Sequence, residues 1–382
     1  MKKILFVEFL PIGGSSVSLG NLITAAKTDY ECVLLLSKKS ILIQTAIKEK
    51  IKYYVYNDEA VDLTQFSKSP VSTLIKYLGV LFYTFWITLK TNPALIYTNH
   101  YMWSIYTNLV GFVLRKPVII NLCDVWPLRP KISRILMKFN RRTKYIAVSK
   151  FVYNQFTKVF KVPKKNTTLI YDGVDENIFS RLSIGKIKSK YKNNKKIISY
   201  FSRVTPERDI EIFIDTAACL LKNNKNLIFY HCGYDPENSD KNYFNELNKR
   251  VYGLGIQKNF KFIKYFKSAG NIPAVMKRSF LTMVPARQFA IPNVAIESMM
   301  CGTPAVAFDI GGNPEIIINS SMGTLVKVNS PVLYADAIQR YLINERYYLN
   351  TSIKAAEYTG KAFPVINKHK AIIKLINQQI LE

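Results

Sequence analysis

The chain has 382 residues, 48% hydrophobic and 13% aromatic, which is material for two cores of ordinary size. Its formal net charge of +28 favours anionic partners: phosphorylated ligands, anionic lipid or nucleic acid. No stretch reaches the ~18–20 uninterrupted apolar residues of a spanning helix. The five cysteines (Cys32, Cys123, Cys219, Cys232, Cys301) are scattered, without metal-ligand spacing, as reduced thiols in a cytosol would be.

The start, MKKILFVEFLPIGG, has two lysines and then an apolar run, as a secretory signal has. That run is short and β-rich, contains Glu8 and lacks a small-residue cleavage site, so a buried first strand over 2–10 is expected. Gly13 and Gly14 follow, then an amphipathic helix over 17–28. Strand, glycine loop and helix open a Rossmann-like unit, although the glycine spacing of a dinucleotide site is absent. Strands at 31–37, 53–56, 94–98 and 117–122 then alternate with helices at 41–49, 71–89 and 103–115. This spacing predicts an α/β fold with a parallel sheet covered on both faces.

Residues 71–89 include VLFYTFWITL, apolar nearly all round between Lys76 and Lys90. The run is too short to span a bilayer and is expected as a buried helix, with a membrane-associated helix as the alternative. His100 follows Asn99 at the carboxyl end of a strand, where ligands of parallel sheets gather, and is either a cleft residue or structural. The segment NLCDVWPLRP then carries Cys123 and Asp124, the latter a candidate acceptor or cleft residue with His100. In 131–142, KISRILMKFNRR, one face holds Ile132, Ile135, Leu136 and Phe139. The other holds Lys131, Arg134, Lys138, Arg141 and Arg142, with no acid. That is the pattern of a helix lying on an anionic membrane surface. The alternative is a surface helix with basic solvent positions.

Residues 186–196 are basic and polar, as an exposed linker or short helix would be. A second alternation follows. Arg203 ends a strand and Arg208 starts the next helix, and further strands fall at 226–233, 260–265 and 281–285. The most patterned stretch is PNVAIESMMCGTPAVAFDIGGNPEII, from Pro292 to Ile317. Pro292 opens a helix whose one charge is Glu297, and Gly302 ends it. Residues 304–308 read as a buried strand. Gly311 and Gly312 allow a close backbone approach, and Asn313-Pro314-Glu315 starts another helix, a combination suited to binding an anion.

This stretch closely resembles the signature of the retaining glycosyltransferases with the GT-B fold, family-4 type. There the segment reads Glu, seven residues, Glu-Ala-Met-Ala-Cys-Gly-Thr-Pro-Val-Val-Ala, and then Gly-Gly-x-x-Glu. Glu297 falls on the second glutamate, whereas the first falls on Phe289, a departure. TLIYDGVDENIF resembles the family's Ile-Pro-Asn-Gly-Val-Asp…Phe, with Asp172 in place of asparagine. SRVTPERD resembles Gly-Arg-Leu-x-Pro-Glu-Lys-Gly, with Arg208 for the lysine and Asp209 for the glycine, which puts the shape of that turn in question. Asp124-Val125-Trp126-Pro127 resembles the Asp-Leu-Trp-Pro of one branch. Cys123 stands where many members have a histidine, so no catalytic histidine carries over.

The resemblance implies two Rossmann-like domains with a donor cleft between them. The first is an acceptor domain over 1–170, joined by a last helix within 364–382, and the second is a nucleotide-sugar domain over 171–363. It implies that Arg203 and Arg208 bind the donor diphosphate, with N–H groups near Asn293 and Val294, and that Glu297 accepts from the ribose hydroxyls. Gly13, Gly14, Gly311, Gly312 and Glu315 would line the donor site, and Gln288 would stand in for the missing glutamate. No Asp-x-Asp or carboxylate cluster is placed to hold a metal, so metal-independent transfer without a cofactor is expected. The implied activity is transfer of a hexose-type sugar, with retention, to a glycan or lipid-linked acceptor in lipopolysaccharide, capsule or exopolysaccharide synthesis. The implied location is cytoplasmic, on the inner face of the cell membrane. The alternatives are a non-catalytic GT-B subunit, a GT-B epimerase or phosphorylase, and a basic nucleic-acid-binding protein. The last lacks an RNA-recognition sequence, a zinc finger and a convincing helix-turn-helix.

Overall fold

The computed structural model describes residues 1–10, 14–56, 70–123, 140, 142–235, 239–264, 271–287, 290–327 and 330–381, without the side chains of 70–73 and 102. The chain divides into two compact units, 1–171 with 368–382, and 172–367.

The first unit is built on β1 (Lys3–Glu8), β2 (Glu31–Ser37), β3 (Lys52–Tyr56), β4 (Leu95–Asn99), β5 (Val118–Leu122), β6 (Thr143–Ala147) and β7 (Thr167–Leu169). These pair in the order β3-β2-β1-β4-β5-β6-β7, all parallel. Ile4 lies between Cys32 and Leu95 in register. The central strands β1 and β2 read as nearly unbroken apolar runs because both faces are covered, whereas the edge strand β3 is exposed or half-buried along its length. Leu19, Leu22 and Ile23 of the Gly14–Ala26 helix pack on Phe6, Leu34 and Tyr97, and so do Ile372 and Ile376 of the Val365–Leu381 helix.

The Pro70–Thr91 helix departs from expectation, because only one face is buried. Val80, Thr84, Ile87, Thr88 and Thr91 turn inward, while Leu74, Leu78, Phe82, Trp86 and Leu89 are exposed. The buried threonines tolerate the interior because each hydroxyl donates to a carbonyl one turn back: Thr84 to Val80, Thr88 to Thr84 and Thr91 to Ile87, each at 2.7 Å. Among the described residues no helix is long and apolar enough to cross a membrane.

The second unit contains β8 (Lys196–Phe201), β9 (Leu227–Tyr234), β10 (Phe260–Lys264), β11 (Leu281–Val284), β12 (Ala305–Phe308) and β13 (Thr324–Val326). Their order is β10-β9-β8-β11-β12-β13, again parallel. Of the two readings of 186–196, the short helix is found, as Ile184–Lys192. Ile187 is buried, and Lys190 donates to the Ser279 carbonyl at 2.9 Å and to Thr303 Oγ1 at 2.8 Å. Burial lowers the Lys190 ammonium to about 7. Strand order reverses at β1/β4 in one sheet and at β8/β11 in the other. Parallel sheets bind ligands outside the carboxyl ends of their strands at such reversals.

Candidate functional site

At the β8/β11 reversal the chain leaves β8 through Ser202 and Arg203. Gly233, at φ +135°, lets the end of β9 approach, since a Cβ there would stand 2.0 Å from the Ser202 carbonyl oxygen. Ser202 Oγ lies 3.0 Å from His231 Nε2, and burial pushes that imidazole down to about 3, so the ring is neutral. Arg203 is thereby fixed through its backbone while its side chain is exposed. Arg208 closes the Pro206–Arg208 turn and is half-buried. The buried Tyr200 of β8 holds that turn by donating its hydroxyl to the Arg208 carbonyl at 2.7 Å.

Asp209 settles the question raised at this turn. It adopts φ 50°, ψ 44°, the left-handed conformation that glycine favours and aspartate tolerates, so the turn keeps that shape. Its buried carboxylate accepts the Arg287 N–H at 3.0 Å and pairs with the Arg287 guanidinium. That bond raises Arg287 above the ordinary arginine value. The loop leaving β11 is thus tied to the turn after β8.

The Asn293–Met300 helix begins in front of this edge, with Pro292 as its cap residue. Asn293 spends its N–H on the Ile291 carbonyl at 3.1 Å, so it is not an open anion donor. Its side-chain amide donates to Asp172 Oδ2 at 2.9 Å. Val294 is half-buried in the first turn. Glu297, one turn further on, is partly exposed as a residue, yet its carboxyl is enclosed. Burial first, and the charge of Asp172 second, push it up from 4.5 to about 7. Two carboxyl groups therefore act on one another here, Asp172 buried and engaged by Asn293, and Glu297 raised to about 7.

The glycine turn after β12 makes the close approach that the sequence suggested, but to the protein's own chain. Gly311 has φ +62°, and a Cβ on Gly312 would meet the Ala290 carbonyl oxygen at 2.5 Å. The helix that follows, Asn313–Ile316, is a single turn, and Asn313 bonds inward to the Phe308 carbonyl at 2.8 Å. One turn carries little macrodipole, which weakens the expected anion site there. Glu315 is half-buried on that turn.

In the first unit, the β1/β4 reversal brings Ser15 and His100 together. His100 has φ +63°, a strained value for a histidine. It donates its N–H to the Asn121 carbonyl at 2.9 Å, and its Nε2 lies 2.9 Å from Ser15 Oγ. Asn99 donates to the Ser15 carbonyl at 3.1 Å and accepts from Asn121 at 3.0 Å. Cys123 Sγ lies 3.8 Å from Asn99 Oδ1. Gly14 opens the helix with nothing within 4 Å of the place a Cβ would take. Gly13, Asp124, Gln288, Phe289, Lys131, Arg134, Lys138 and Arg141 lie outside the described residues. Arg142 is described, exposed, and donates to the Arg115 carbonyl at 3.0 Å.

The sequence reading missed Tyr200, Ser15 and Arg287. A buried tyrosine at a strand end and a serine in a first turn carry no local signal. Asp209 departs from the family's glycine, and the tolerance of aspartate for the left-handed region is the available clue to its role.

Two parallel α/β units, each reversing its strand order beside its polar edge, define a protein of the GT-B architecture. Residues 184–359 match the family model for Glycosyl transferases group 1, and residues 61–178 match that for Glycosyltransferase Family 4. The chain belongs to the family-4-type glycosyltransferases with the GT-B fold.

An uncharacterized glycosyltransferase of Methanocaldococcus jannaschii is 25% identical over 250 residues, 62% of this chain and 60% of that protein. The N-acetyl-alpha-D-glucosaminyl L-malate synthase of Bacillus anthracis is 23% identical over 220 residues, 57% of this chain and 55% of that protein. The matched stretch therefore spans less than two thirds of either relative's length. Anabaena HepE, solved in complex with UDP and glucose, superposes with a TM-score of 0.81 at 19% identity, over 99% of this chain and 100% of its own. At that identity the likeness establishes the fold.

Proposed function

We propose that this protein transfers a hexose-type sugar from a nucleoside-diphosphate sugar to a glycan or lipid-linked acceptor. Transfer proceeds with retention of configuration and without a metal, in lipopolysaccharide, capsule or exopolysaccharide synthesis at the inner face of the cell membrane. The observation that carries this reading is the gathering of Arg203, Arg208 and the Glu297 helix at the carboxyl edge of one sheet, where its strand order reverses.

Breaking the sugar–phosphate bond places negative charge on the departing diphosphate. Preorganised cations near that charge stabilise the transition state more than the ground state. Arg203 and Arg208 supply two, and the rigid fork of arginine suits phosphate oxygens. Glu297 accepts from the ribose hydroxyls of the donor, Gly14 leaves open space for the donor at the start of its helix, and the acceptor binds the first unit. The UDP and glucose of the HepE structure make UDP-glucose the first donor to try. The membrane contact this reading assigns to Lys131, Arg134, Lys138, Arg141 and Arg142 is electrostatic and screened by salt.

The test is a thermal-shift screen of nucleotide sugars, followed by chromatographic detection of nucleoside diphosphate release and sugar transfer. One nucleotide family should raise the melting temperature, because a ligand bound only by the folded state stabilises it. Indifference to every nucleotide and nucleotide sugar would remove the transferase reading and leave the nucleic-acid-binding alternative to be tried.

A further inference from the structure

The exposed face of the Pro70–Thr91 helix is a feature that the transferase reading leaves unused. Leu74, Ile75, Leu78, Phe82, Trp86 and Leu89 are all exposed, Ile75 at 65%, Phe82 at 68% and Trp86 at 50%. At 3.6 residues per turn these six fall within an arc of about 120°, a continuous stripe along most of the helix. The inward face is filled by Val80 and Ile87 together with the internally bonded threonines, so the helix has apolar surface to spare and carries it on its outer face. Exposed apolar surface of this extent marks a contact site.

Charge identifies the occupant. The helix carries Lys76 and Lys90 and no acidic residue. Lys90 Nζ lies 4.8 Å from the centre of the Trp86 ring and 5.5 Å from that of Tyr54, and Lys52 Nζ lies 5.8 Å from the Tyr54 ring. Just past the helix end, Lys116 donates to Asn92 at 2.7 Å, and Arg142 donates to the Arg115 carbonyl. An apolar stripe ending in tryptophan, tyrosine and a cluster of cations is the surface that lies at an anionic lipid interface, with side chains in the acyl boundary and ammonium groups at the headgroups. A second copy of the chain is a poorer occupant. It would bring lysines against lysines with no acid on the helix to pair them.

We propose that the Leu74–Leu89 face docks on an anionic lipid bilayer and places the first unit at the membrane surface. This rests on the membrane part of the function proposed above and moves the contact from basic residues alone to a hydrophobic stripe edged by them.

The test is co-sedimentation of the full chain with vesicles of phosphatidylcholine containing phosphatidylglycerol, against phosphatidylcholine alone, at low and high salt. Wild type should bind the anionic vesicles, keep a remnant of binding at high salt, and show tryptophan emission that brominated lipid quenches more than it does in Trp86→Phe. The double variant Phe82→Gln/Trp86→Gln should lose about tenfold or more in partitioning, because two large apolar side chains leave the interface. The variant's melting temperature and nucleotide response should stay unchanged, since both side chains are at the surface. Phe82→Leu/Trp86→Leu should retain most of the binding. If the glutamine variant sediments as wild type does, the stripe is not the contact, while the membrane assignment of the 131–142 segment survives. If wild type ignores anionic vesicles, both membrane assignments fall and the transferase reading stands. If wild type is a dimer in vesicle-free solution and the glutamine variant is a monomer, the face is a protein interface and the proposal is overturned.

Discussion

The carboxylate of Asp209 grips Arg287 at two points, taking the backbone N–H at 3.0 Å through Oδ2 and the guanidinium through Oδ1. The two residues stand on the segments that follow the neighbouring strands β8 and β11, on either side of the strand-order reversal. The tie therefore fixes the spacing of the two loops that frame the candidate donor site. A glycine at 209 would allow the same turn but leave the loops unconnected.

Replacing Asp209 by alanine strains the left-handed position and leaves the Arg287 N–H without its acceptor. A lost hydrogen bond to a charged group costs about 1.5–3 kcal/mol, and the exposed half of the ion pair adds little. Asp209→Ala should lose stability on that order in urea unfolding. Asp209→Asn tolerates the same φ and still accepts from Arg287, so it should lose less. Equal stability of Asp209→Ala and wild type would show that the tie holds nothing.

Arg203→Ala and Arg208→Ala should each weaken nucleoside diphosphate binding by roughly tenfold or more, the worth of one charge-assisted hydrogen bond. Tyr200→Phe removes the hydroxyl that holds the Arg208 turn and should give a smaller loss in the same titration. Wild-type affinity in both arginine variants would take them out of the site.

Transfer should survive a chelator, because two arginines provide the positive charge. Turnover abolished by EDTA and restored by magnesium or manganese would assign that work to a metal instead.

Much of the architecture could be read from local pattern. Ile4 to Val7 along β1 and Val33 to Leu36 along β2 are buried on both faces, and a buried parallel strand shows this as an unbroken apolar run. The facing of the Pro70–Thr91 helix could not be read this way. Its threonines satisfy their hydroxyls internally and pass for apolar residues, so no polar side marks the outside. At the candidate site, the family resemblance alone assigned Arg203, Arg208 and Glu297 to one donor site. The contacts that hold the site link residues 78 and 121 positions apart, Asp209 with Arg287 and Asp172 with Asn293, and no local periodicity encodes such pairs. Gly312 shows the intermediate case: the need for close approach was legible, whereas its object, the Ala290 backbone, was not.

The last prediction concerns Glu297, whose carboxyl is raised from 4.5 to about 7, by burial first and then by Asp172. Between those values the folded protein holds a proton that the unfolded chain has lost, so stability at this site falls as pH rises from about 4.5 to about 7. The cost of burying the charge is fully present above that window and absent below it. Glu297→Gln should flatten this part of the stability profile. Ribose hydroxyls donating to the carboxyl favour its ionised form, so nucleotide binding has the opposite slope. Affinity should rise with pH toward about 7 and then level. At pH values inside the window, binding should release a fraction of a proton, read by calorimetry in buffers of different ionisation enthalpy. Asp172→Asn keeps an acceptor for the Asn293 amide but removes the neighbouring charge, so the midpoint should move to lower pH. If proton release is absent in wild type, or its midpoint is unmoved in Asp172→Asn, the titrating group is not Glu297 and its assignment to the nucleotide fails.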